Sequence, residues 1–181
     1  VAPGYPYPYL SRIRALRLQP GNTYYIVVSG HCGQSGTYQL TVGRWADPFL
    51  VLPDGSGAFP NIHEAIVRSS DGDTIELADG VFTGPGNREM HYYGRSIVVR
   101  SRSGDPNACI IDPQGAGRAF VFDDGEGPAS VLDGVTIRNG FAENYNGGGA
   151  LVCFSAYPTI RRCVFSDNRA EVGGACAFWW S

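Results

Sequence analysis

From residue 95 onward the chain is a succession of short apolar runs, each closed by Gly, Pro, Asn or Asp. They read RSIVVRS (95–101), ACIIDP (108–113), RAFVFDD (118–124), SVLDGVTIRNG (130–140), GALVCFS (149–155), TIRRCVFSDN (159–168) and GACAFWW (174–180). Runs this short with turn residues between them predict strands, and no helix-length period interrupts them. Two of the segments repeat one another. Leu132 falls on Ile160, Val135 on Cys163 and Ile137 on Phe165, at an offset of 28 residues. Asn139-Gly140 then falls on Asp167-Asn168, and Gly149-Ala150 on Gly174-Ala175 after a short loop insertion. A unit of this size buries no face by itself and must stack on its neighbours, which predicts a parallel β-helix. The inward stack is expected to include Ile75, Leu77, Val98, Ile110, Val121, Val135, Ile137, Cys163 and Phe165.

Upstream of the repeats the period changes. Pro60 suits a first helical turn, and Ile62, Ala65 and Ile66 follow at i, i+3, i+4 before Ser69-Ser70-Asp71-Gly72-Asp73 stops the pattern. A strand begins at Thr74. A short amphipathic helix placed just before the first rung would plug the N-terminal end of the coil. Residues 44–53 read as a linker passing into a new strand. Residues 1–43 hold a Pro/Tyr-rich start and three strand-like runs, a small antiparallel β segment. The predicted plan is therefore 1–43 β segment, 44–53 linker and 54–181 β-helix.

Two resemblances sharpen this. The stretch LQPGNTYYIVVSGHCGQSGTYQLTV, with Gly36-x-Tyr38-x-Leu40-x-Val42 at its end, resembles the C-terminal half of the bacterial pre-peptidase C-terminal β-sandwich domain. Such a sandwich needs roughly twice as many strands to close its core. Asp54-Gly55-Ser56-Gly57, Ile62-His63-Glu64-Ala65-Ile66, Gly72-Asp73-Thr74-Ile75 and Gly80-Val81-Phe82-Thr83-Gly84 resemble the entry of the pectin lyase-like superfamily. That resemblance implies an all-β, right-handed parallel β-helix with an N-terminal capping helix. The NG…GGGA and DN…GGA pattern is similar to the repeats of bacterial surface adhesins. The superfamily hosts lyases, esterases, hydrolases, tailspikes and adhesins, so it implies a fold and no reaction.

Composition narrows the function classes. A net charge of −3 with scattered basic residues gives no case for nucleic acid. The apolar fraction of 43% is enough for a packed core and argues against disorder. No run of about 18 apolar residues exists, so no helical membrane span is expected. The chain starts at Val1 without a Met or a signal-like segment and is read as a processed product or a piece of a longer protein. Its five cysteines include no Cys-x-x-Cys pair. Cys109 and Cys163 sit in apolar runs and read as buried thiols, whereas Cys153 and Cys176 lie near equivalent positions of adjacent rungs and admit one bridge. The three His residues are too scattered in sequence for a zinc pair.

The candidate chemistry is thin. Asp133 with Arg138, and Asp112 with Arg118, are the acid–base pairs to inspect, but Asp-Gly and Asp-Pro steps are ordinary turn residues and no catalytic residue is assigned. Neither the esterase signature of the superfamily nor a lyase Ca²⁺ cluster with its arginine is found. Asp123-Asp124-Gly125-Glu126-Gly127 offers loop oxygens for Ca²⁺ without EF-hand spacing and reads as a solvated acidic turn, so no cofactor or metal is assigned. The pairs Tyr92-Tyr93 and Trp179-Trp180 are the candidate ligand contacts. One ring of each should point outward, where it can stack on a sugar face. The expected function is a secreted or surface-exposed bacterial β-helix acting as a structural, adhesive or glycan-binding module. Its expected partners are polysaccharide and a second copy meeting it through strand edges at 13–42 or 174–180. The alternative is an N-terminal piece of a polysaccharide lyase, hydrolase or esterase whose active site lies mostly beyond residue 181.

Overall fold

The computed structural model describes residues 49–143 and 147–180. The segment 1–43 and the start of the 44–53 stretch lie outside the described residues, as do the expectations placed on them. β1 (Phe49–Val51) comes first, inside the stretch read as linker, followed by helix α1 (Ile62–Arg68). The next turn of the coil carries β2 (Thr74–Leu77), β3 (Gly80–Phe82) and β4 (Met90–His91). The turn after it carries β5 (Val98–Ser101), β6 (Cys109–Ile111) and β7 (Phe120–Phe122). Two four-stranded turns follow. One holds β8 (Val131–Asp133), β9 (Thr136–Arg138), β10 (Phe141–Ala142) and β11 (Leu151–Phe154). The other holds β12 (Thr159–Arg161), β13 (Val164–Ser166), β14 (Arg169–Ala170) and β15 (Cys176–Trp179).

Three sheets stack along the coil, β1-β2-β5-β8-β12, β3-β6-β9-β13 and β4-β7-β11-β15, and β10 with β14 forms a two-stranded corner. Every strand pairing among the described residues is parallel, which makes the chain a parallel β-solenoid. The sequence repeat is one turn of it. Ile160 pairs with Leu132 and Phe165 with Ile137. The Gly149 and Ala150 amides donate to the Gly174 and Ala175 carbonyls at 2.9 and 2.7 Å.

Local chemistry explains the elements. The Asn61 side chain caps α1 by accepting the Glu64 amide at 2.9 Å, and the Ser69 hydroxyl closes it on the Ile66 carbonyl at 2.7 Å. Ile62, Ala65 and Ile66, the positions picked out by their spacing, are fully buried beside Phe59. No helix among the described residues is long and apolar enough to cross a membrane. Asn139 and Asp167 occupy the equivalent turn of successive rungs in the left-handed region, at φ 55° and 54°, which Asn and Asp tolerate better than other side chains. The Asn168 side chain then ties the rungs together: its Oδ1 accepts the Gly140 backbone N–H at 2.8 Å and its Nδ2 donates to the Ile137 carbonyl at 2.9 Å.

The interior is a column of apolar side chains, with Ile75, Leu77, Val99, Ile111, Leu132, Val135 and Ile137 fully buried. Tyr92, Phe120 and Phe122 stack inside the third sheet with ring centroids 4.9–6.0 Å apart, and the Tyr92 hydroxyl donates to the Val131 carbonyl at 3.0 Å. Cys163 and Phe165 pack against this column while half-buried. Three expected core positions are different. Val98 and Ile110 face outward and are half-buried, with Val99 and Ile111 taking the inward places. Val121 joins Val152 and Ala177 in a separate small cluster, with Phe154 against it, while Phe120 and Phe122 face in. In the runs IVV, CII and FVF every residue is apolar, so alternation carries no information about which set is inward. A one-residue slip then exchanges the faces.

Candidate functional site

The four aromatic residues singled out in the sequence divide. Tyr92 is fully buried in the column and offers no ring face to the surface. Tyr93 points outward and is 43% exposed. Its ring lies 5.8 Å from the His91 ring and 6.3 Å from the His63 ring, and the Arg95 guanidinium sits 5.3 Å from its centroid. Trp179 and Trp180 are both exposed, where strict alternation would have turned one inward. Trp180 lies one residue past the end of β15, so the pleat no longer fixes its direction. It stacks on Tyr157, centroids 5.2 Å apart and planes tilted by 32°. Tyr157 was not singled out by sequence reasoning. Its signal was local, a tyrosine before Pro158 in a turn between two rungs, where the chain runs over the surface. Tyr93, Tyr157, Trp179 and Trp180 thus all leave ring surface in contact with water on and beside the third sheet.

The acid–base pairs are brought together differently from expectation. Asp133 does not pair with Arg138 but with Arg161 and Arg162, the latter at 2.6 Å. Asp112 takes Arg138 at 3.0 Å and the Asn139 amide at 3.0 Å, not Arg118. Residues close in sequence turn a corner into different sheets, whereas equivalent positions one turn away lie side by side. The result is a row of alternating charge down the first sheet, Glu76, Arg100, Asp133 and Arg161, in register. Glu76 and Arg100 close at 2.6 Å. These carboxylates are neutralised by stacked arginines, and the arrangement buttresses rungs without presenting a free acid or base.

The hydrogen bond from Arg162 and the charges of Arg161 and Arg162 hold the Asp133 carboxyl below its ordinary value. A carboxylate depressed in the folded state stabilises the fold above the unfolded value, about 3.9, and that contribution is lost as pH falls through the folded value. Asp133→Asn should therefore cost about 1–2 kcal/mol at pH 7, with the gap to the unsubstituted chain closing below about pH 4. Urea unfolding at both pH values measures this. A constant gap across that range would show that the carboxylate charge contributes nothing.

The acidic loop is the expected solvated turn at Asp123, Asp124 and Gly125 but not at Glu126. Glu126 is fully buried, and its carboxylate accepts the amides of Gly94 at 3.0 Å and Asp124 at 3.1 Å. Asp123 instead reaches across one rung to His91 Nδ1 at 2.9 Å. His91, Asp123 and Asp124 consequently place one ligand atom each within 4.8 Å of one another. They are the residues that could hold a cation among those described. The sequence showed the three histidines to be far apart but could not show that one of them stacks over two aspartates.

The four thiols among the described residues pack against the apolar column. Cys109, Cys153, Cys163 and Cys176 are all free, so the bridge admitted between Cys153 and Cys176 is absent. Their registers explain it: Cys176 lies opposite Leu151, and Cys153 opposite Phe178. Burial pushes Cys109 and Cys153 up to about 12 and Cys176 to about 11, which leaves almost no thiolate to react near neutrality.

Fold and surface together define a parallel β-solenoid whose outer faces carry exposed aromatic rings beside charged side chains. Compared with protein-family models, curated proteins and solved structures, the chain matches none.

Proposed function

We propose that this chain is a secreted or surface-displayed right-handed β-helix of the pectin lyase-like kind that binds polysaccharide. In this reading α1 caps the coil, which is supported by its fully buried Ile62, Ala65 and Ile66. A right-handed coil is what parallel strands joined by crossovers almost always adopt. Unbridged thiols are compatible with an oxidising compartment when they are buried and protonated, as Cys109 and Cys153 are.

The observation that carries the binding function is the water-exposed ring surface of Tyr93, Tyr157, Trp179 and Trp180. Aromatic faces in water pair with the apolar C–H faces of pyranose rings, and each such contact contributes roughly 1 kcal/mol. Affinity electrophoresis through gels containing soluble plant or bacterial polysaccharides tests it. At least one polymer should retard the chain, and Trp180→Ala or Tyr93→Ala should weaken that retardation by about fivefold to tenfold. Unretarded migration in every polymer, or retardation untouched by both substitutions, would remove this reading.

A further inference from the structure

We infer that Glu126 is a positioning residue for the glycan-binding surface: its buried carboxylate locks the turn that displays Tyr93 against the acidic loop of the next rung. The inference rests on the glycan-binding reading for its consequence, but the positioning itself is read without any sugar, so the two can fail separately. Tyr93 and Gly94 are consecutive residues at positive φ, 56° and 68°, and the Arg95 N–H closes their turn on the Tyr92 carbonyl at 3.1 Å. Two positive values in a row are the type I′ pattern, which Gly, Asn and Asp fill readily and tyrosine rarely does. An exposed ring in that conformation gains little from the core, so its surroundings have to hold it there.

Two routes run from Glu126 to Tyr93. On the backbone side, Glu126 Oε1 accepts the Gly94 N–H at 3.0 Å. On the ring side, Oε2 accepts the Asp124 N–H at 3.1 Å and so fixes the loop from which Asp123 reaches His91 Nδ1 at 2.9 Å. The His91 ring in turn stacks on the Tyr93 ring, with centroids 5.8 Å apart. The two turns approach closely, since a Cβ on Gly94 would stand 3.0 Å from the Asp124 carbonyl oxygen. The Glu126 carbonyl also accepts the Tyr157 N–H at 2.7 Å, so the backbone of a second exposed ring is anchored on the same residue. Glu126 is completely enclosed, and burying a carboxylate is costly unless charge-assisted hydrogen bonds offset it. Turns open to water would satisfy the same two amides without a charge. A buried charge spanning two rungs instead fixes them in one geometry, and a ligand contact fixed beforehand loses less freedom on binding. Enclosed as it is, Glu126 acts through Tyr93 rather than on the sugar.

The test compares Glu126→Gln with the unsubstituted full chain. Glutamine keeps the volume but replaces one accepting oxygen with an NH2 group that faces a backbone N–H. In nitrogen–proton correlation spectra the Tyr93, Gly94 and Asp124 signals should move while those of β12 and β13 stay in place. Affinity electrophoresis through hydroxyethylcellulose, xyloglucan and polygalacturonate reads the consequence. In a polymer that retards the unsubstituted chain, Glu126→Gln should weaken retardation about threefold to fivefold. The same substitution should add nothing in a Tyr93→Ala background and its full factor in a Trp180→Ala background, a split that a general loss of stability would not produce. Unmoved signals at Tyr93 and Gly94, unchanged retardation in such a polymer, or equal losses in both backgrounds overturns the inference. If circular dichroism shows that Glu126→Gln does not fold, the exposed Asp123→Ala interrupts the ring-side route alone, and unshifted Tyr93 ring signals with full retardation then overturn it. If no polymer retards the unsubstituted chain while the Tyr93 and Gly94 signals still move in Glu126→Gln, the glycan reading falls and the positioning of Tyr93 by Glu126 stands.

Discussion

Gly149→Ala is expected to destabilise the solenoid by about 3 kcal/mol or more, among the largest effects of any single methyl addition in this chain. The reason is contact rather than conformation. A Cβ at Gly149 would stand 2.6 Å from both the amide nitrogen and the carbonyl oxygen of Arg169, and closer still to the Gly174 carbonyl oxygen. All three are backbone atoms, so no side chain can swing aside, and the two rungs would have to part. They are joined there by the Gly149 and Ala150 amides, whose hydrogen bonds to Gly174 and Ala175 would lengthen. Gly127→Ala is the matched control, since a Cβ there meets nothing within 4 Å. Urea unfolding followed by circular dichroism should show a lowered midpoint for the first variant and an almost unchanged one for the second. Equal midpoints would mean that the rungs are not in contact at Gly149.

Phe122→Ala is expected to cost about 3–5 kcal/mol, the range for truncating a fully buried aromatic ring. Phe122 is completely enclosed, 4.9 Å from the Tyr92 ring and 6.0 Å from Phe120, and its removal leaves a cavity in a column with no loose neighbour to fill it. Ile110→Ala, on the outer side of its strand and half-buried, should cost roughly 1 kcal/mol. The comparison reads the register directly. If the outward Ile110 proved the costlier of the two, the inward and outward faces would have been assigned the wrong way round.

The exposed rings show how far a two-residue sequence pattern carries. Tyr92 turns inward and Tyr93 outward, but β4 already ends at His91, and Tyr93 sits in a turn at φ 56° that sets its direction. Trp179 and Trp180 are both exposed, and β15 ends between the two residues. Alternation is a property of the strand, and it stops where the strand stops.

What the sequence determined by itself was whatever depends on neighbours along the chain or on an exact repeat. The 28-residue offset identified one turn of the coil and paired Leu132 with Ile160 and Ile137 with Phe165. Helical spacing found α1 and its buried face, and the Gly-Gly-Ala copies marked where two rungs touch. What only the tertiary structure decided was whatever depends on a partner one turn away. Successive turns place Ile75 beside Val99, Val99 beside Leu132 and Leu132 beside Ile160, at unequal chain separations because the loops between strands differ in length. No single period therefore predicts that Asp133 meets Arg161 and Arg162 or that His91 meets Asp123. In an all-apolar run such as Phe120-Val121-Phe122 even the choice of face is left to packing, since volume inside the coil is the remaining discriminator and the larger rings fill it.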